Sequence, residues 1–63
     1  MKVRDLIRLI EADGWFVMRT TGGHRQFYHP VKRGTVTVAG NPATEVPPKT
    51  LASVLRQAQI LRG

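Results

Sequence analysis

Residues 15–38, WFVMRTTGGHRQFYHPVKRGTVTV, decide the fold. The run 15–20 is aromatic, β-branched or long. It is bounded by Gly14 and by Thr21-Gly22-Gly23, so it reads as a strand followed by a turn. Residues 24–29 form a second strand by the same logic, and the short glycine-containing link makes an antiparallel hairpin the simplest pairing. Residues 30–34 are a basic turn carrying Lys32 and Arg33. After it, Thr35-Val36-Thr37-Val38 alternates polar and apolar as a half-buried third strand should.

Outward from this meander, the chain turns helical on both sides. Val3, Leu6, Ile7 and Ile10 lie on the i, i+3, i+4, i+7 stripe of a helix over 2–13 that Gly14 stops. Lys2, Arg4, Asp5, Arg8 and Glu11 form its solvated side. Residues 40–48 are loop-like, with three prolines, and Pro48 suits the first turn of a helix, where its missing N–H costs nothing. Leu51, Val54, Leu55 and Ala58 then repeat the stripe. The order αβββα predicts a two-layer α+β domain over 1–63: a three-stranded antiparallel sheet with both helices on one face. Alternation places Trp15, Val17, Phe27, Val36 and Val38 toward the helices. Phe16, Met18 and Tyr28 fall on the other face, an apolar patch for which a protein partner is the natural occupant.

Composition bounds the function. A chain of 63 residues is one small domain that buries only ~60% of its unfolded surface, and it has no cysteine for a disulfide, a thiol nucleophile or a Cys-based zinc site. Ten Lys+Arg against four Asp+Glu give a net charge of +6. That balance suits a polyanionic partner, either nucleic acid or an acidic protein. The longest apolar run is the four residues 15–18, far short of the ~20 that a membrane-spanning helix requires. Arg8 breaks the N-terminal apolar residues and no small-residue cleavage site follows, so neither a membrane nor a secretory signal is expected. The default location is the cytoplasm.

His24 is the residue with chemistry. It follows Gly22-Gly23, whose lack of side chains lets a phosphate backbone approach closely, and an imidazole exchanges protons near neutrality. RNA carries its own nucleophile in the 2′-hydroxyl, so an enzyme need only move protons and stabilise phosphoryl charge. A lone histidine after a tight turn is nevertheless more often a plain surface residue. His29 differs from His24 in strand parity, so it reads as structural or peripheral. Two separated histidines and four scattered acids have no ligand spacing, and no metal or other cofactor is expected. Arg19, Arg25, Lys32, Arg33 and Lys49 surround the turns flanking the second strand and the start of the second helix, and are candidate phosphate contacts. The first N–H groups of that helix, near Lys49, Thr50 and Leu51, lack an obvious cap and would favour a phosphate, unless Asn41 or Thr44 caps them. With so few aromatic residues, base stacking is a minor signal.

Gly14-Trp15, Arg19, Gly22-Gly23-His24-Arg25-Gln26-Phe27, Thr35-Val36-Thr37-Val38 and Glu45-Val46-Pro47-Pro48-x-Thr50-Leu51, in this order across nearly the whole chain, resemble the HicA toxin family. The resemblance implies a double-stranded-RNA-binding-domain-like fold and metal-independent mRNA cleavage with His24 as the single catalytic histidine. It also implies neutralisation by a HicB antitoxin. Many members have a further histidine after the third strand, where this chain has Gly40-Asn41-Pro42, and many have Gly where Lys49 and Gln59 stand. Gln59 in place of a helix-ending Gly would let the second helix run toward Leu61. A non-catalytic RNA-binding module of the same fold is the alternative, and a basic protein-interaction module a third reading.

Overall fold

The structure is a computed structural model that describes residues 1–60. The elements are α1 (Val3–Ala12), β1 (Phe16–Thr21), β2 (His24–Tyr28), β3 (Val36–Ala39) and α2 (Pro48–Gln57). The three strands form one antiparallel sheet in the order β1-β2-β3. This is the αβββα, α+β architecture that the periodicities predict.

In α1 the stripe Val3, Leu6 and Ile10 is buried. Its first amides are satisfied by the 41–47 loop, because Val3 N–H donates to the Thr44 carbonyl (2.9 Å) and Arg4 N–H to that of Pro42 (3.1 Å). The helix ends at Gly14, whose φ of +108° reverses the chain and whose N–H donates to the Glu11 carbonyl. Trp15, Phe27, Val36 and Val38 complete the core with Val46, Val54 and Ala58. The Trp15 indole N–H donates to the Ala58 carbonyl (3.2 Å), so its one polar atom is satisfied inside.

The sequence reading errs at two places. Val17 sits opposite Phe27 in the register, yet it is 46% exposed, as is every residue of β1 to a similar or greater degree of openness. The helices pack on β3, so the outer strand β1 has no layer over it, and its register shifts between Val17 and Arg19, where Met18 is the extra residue. Nor does α2 run on. It ends at Gln57, and Gln59 itself takes the left-handed conformation (φ 57°) that glycine would supply, while Ile60 N–H returns to the Leu55 carbonyl (3.0 Å). Leu61 lies outside the described residues. Among the described residues, no helix is long and apolar enough to cross a membrane.

Candidate functional site

His24 opens β2, immediately after the two-glycine turn. Strand alternation puts Phe27 in the core, so His24, Gln26 and Tyr28 project from the opposite face, which carries no helix. The ring is exposed and has no hydrogen-bond partner among the described residues. Gly22 needs its hydrogen for backbone reasons, at φ +59°. Neither Gly22 nor Gly23 has any atom within 4 Å of where a Cβ would stand, so the turn is bare on both sides.

The candidate cations divide between the two ends of the sheet. Arg19 pairs with Gln26 across the hairpin, which gives it the same face as His24. Arg25 points to the helix side, where its Nη1 donates to the Gly40 carbonyl (3.1 Å), leaving the rest of the guanidinium's donors unengaged among the described residues. Gly40 N–H in turn donates to the Gly23 carbonyl (3.1 Å). Gly40 and Thr50 border the same 260 Å³ cleft between β3 and the start of α2, so the first turn of α2 lies at the His24 end of the molecule. That turn is uncapped: Pro47 precedes it and Pro48 has no N–H. Asn41 does not cap it, since its Oδ1 accepts from Ala43 N–H (2.9 Å), and Thr44 makes no side-chain bond to α2. The amides of Lys49 and Thr50 are therefore open.

Lys32 and Arg33 belong to the other end, ~15 Å away by strand rise, and do not join His24. Lys32 is fully engaged: its ammonium donates to Asp13 Oδ2 (2.6 Å) and to the carbonyls of Ala58 (3.2 Å) and Gln59 (3.0 Å) at the C-terminus of α2. A helix C-terminus attracts a cation by its dipole, so this lysine ties the basic turn to α2. Arg33 lends its carbonyl to Gln59 Nε2 (2.8 Å), which fixes its backbone in the same junction. The Lys32 hydrogen bond holds the Asp13 carboxyl below its ordinary range, against some desolvation, and the charge of Lys32 pulls the same way.

His29 is a pin in this junction. Its Nδ1 accepts the N–H groups of Val31 and Lys32 (3.0 Å each), which assigns the proton to Nε2, and Nε2 donates to the Asp13 carbonyl (2.7 Å). The ring stands edge-on to Trp15 at 5.2 Å. Both nitrogens are occupied, so the second histidine is structural. Among the described residues, no three of His, Asp and Glu converge as a metal-binding group. Gln26 and Thr37, not among the expected contacts, share a cross-strand row with Arg19 on the His24 face, with Gln26 in the middle. Counting in twos from His24 would have found Gln26, but Thr37 needed the register.

The chain is a small basic α+β domain that presents the His24 imidazole, without a partner among the described residues, beside a bare turn, on strands that contain no acidic residue. Residues 3–60 match the family described as the HicA toxin of bacterial toxin-antitoxin systems, and the chain belongs to that family. It is thus a toxin of a toxin-antitoxin pair, with an antitoxin as its counterpart. No curated protein matches it.

Proposed function

We propose that this toxin is an endoribonuclease that cleaves mRNA in the cytoplasm through His24. The observation that carries the reading is the exposed His24 ring at the Gly22-Gly23 turn, without a hydrogen-bond partner among the described residues. Arg19 and Arg25 stand close by in the register, and the open amides of Lys49 and Thr50 lie at the same end. The scissile phosphate would rest against the bare turn beside His24, while these cations and amides, spread over both sides of that end, would hold the phosphates that flank it. The neighbouring 2′-hydroxyl oxygen attacks phosphorus, the bond to the 5′-oxygen breaks, and a 2′,3′-cyclic phosphate and a 5′-hydroxyl result. His24 carries one of the two protons involved, and water exchanges the other. No step requires a metal. A HicB-like antitoxin of acidic character would compete with RNA for the same cations and cover His24.

The test is cleavage of single-stranded RNA by the pure protein in excess chelator, comparing the parent with His24→Ala. Activity should persist in chelator and fall ~10²- to 10⁴-fold or more in the variant. Loss of all activity to the chelator would overturn metal independence. Full activity in His24→Ala would overturn the assignment, and RNA binding without any cutting by the parent would establish the non-catalytic reading instead. Adding the product of the neighbouring small reading frame should stop the reaction. A tight complex that cuts at the free rate excludes a site-covering antitoxin.

A further inference from the structure

The face that carries His24 is ordered in three cross-strand rows. Thr21, His24 and Ala39 form the first, Arg19, Gln26 and Thr37 the second, and Phe16 with Tyr28 the third. Successive rows are ~6.7 Å apart, so the aromatic row lies ~13 Å from His24 along β2. Trp15 and Phe27 are buried at 1%, whereas Phe16 (44%) and Tyr28 (43%) lie open side by side on this face. Two rings left in water beside a hydrogen-bonding row are a costly arrangement for an idle surface, since each would gain from being covered. The sheet strands contain no Asp or Glu. All four acids belong to α1, its end, or the loop before α2, and Asp5, Asp13 and Glu45 are held there by Lys2 and Arg8, by Lys32, and by the N-terminus and Lys2.

We propose that this open face is a track for unpaired RNA: Phe16 and Tyr28 stack bases, Gln26 and Arg19 meet the base edges and phosphate between, and the strand ends at His24. The inference rests on the RNA-cleaving reading above and adds the path the strand takes across the sheet to His24. Flat rings take any base by its π-face, and the amide of Gln26 can both donate and accept. A duplex cannot use this face, because its bases are stacked on one another and are not free to lie on Phe16 or Tyr28. Single strands are therefore the substrate. Flat rings, then a row of donors and acceptors, then the histidine match the alternation of base and phosphate along a strand, which favours RNA as occupant.

The test uses the full chain with His24→Ala, so that the ligand survives. A short, unstructured, end-labelled RNA and the same strand annealed to its complement are titrated by fluorescence anisotropy. The single strand should bind more tightly than the duplex. Adding Tyr28→Ala or Phe16→Ala should weaken single-strand binding ~5- to 150-fold, while Tyr28→Phe, which keeps the ring, should restore most of the affinity. Both positions are solvent-exposed, and unchanged melting temperatures establish that the variants are folded. Equal affinity for duplex, or unchanged affinity in both alanine variants, overturns the track while leaving cleavage by the parent intact. If those variants lose the antitoxin but not RNA, the rings belong to the protein interface and the track is wrong. If the parent neither binds nor cuts RNA, the functional reading and the track fail together.

Discussion

At the scale of single residues, the two histidines illustrate how partners decide role. His24 has none among the described residues and is open to a ligand. His29 has three hydrogen bonds and an aromatic neighbour, and its ring sits where a side chain at position 14 would be. A Cβ on Gly14 would stand 2.7 Å from His29 Nε2, at a φ of +108° that L-residues avoid. Gly14→Ala should therefore cost about 1–3 kcal/mol, read from chemical denaturation, and a variant as stable as the parent would contradict the pin. Asp13 gives this junction a pH dependence. Its folded-state pKa lies below the ordinary value near 3.8, first through the Lys32 hydrogen bond. The unfolded chain then takes up the proton more readily. Stability from this group is complete above pH ~3.9 and drains as pH falls toward the depressed folded value. The melting temperature should drop below about pH 4, and Asp13→Asn should flatten that part of the curve. Superimposable profiles would exclude Asp13 as its source.

The elements differ in how their ends are satisfied, and the difference bears on the site. The N-terminus of α1 is closed by loop carbonyls and by Asp5, which accepts from Lys2 N–H (3.2 Å). The N-terminus of α2 is left open behind Pro47. Pro47 has φ −59° and ψ 146°, which an aspartate can adopt as an N-cap. Pro47→Asp should stabilise the protein by about 0.5–2 kcal/mol by accepting from Lys49 or Thr50 N–H, and should weaken RNA binding by placing a carboxylate where the phosphate would lie. Greater stability with undiminished RNA affinity would remove the helix terminus from the binding site.

At the scale of the whole molecule, charge and small size act together. The net charge of +6 is spread over a chain whose acids lie on α1, at its end and in the loop before α2, so the sheet strands carry cations and no acid. RNA affinity should fall with a log–log salt slope of about −0.7 per phosphate neutralised, near −2 if Arg19, Arg25 and Lys49 each meet one. A slope near zero in a salt titration would mean that stacking alone holds the strand.

The periodicity of the side chains by itself determined the two helices, the three strands and the buried stripe, because a helix or strand with one apolar face has few ways to hide it. Net charge and the glycine turn before His24 were also local facts, as was the resemblance they carry. Only the tertiary structure decided what depends on neighbours distant in sequence. Val17 has inward parity but no layer above it, because the helices settle on β3. Lys32 is rich in charge yet is held by Asp13 and the end of α2, whereas Arg19 joins His24 through the hairpin register. Parity and charge are written into a residue and its nearest neighbours. Cover and partnership are set by which surfaces meet when the chain closes on itself, and that is decided by the packing of the whole.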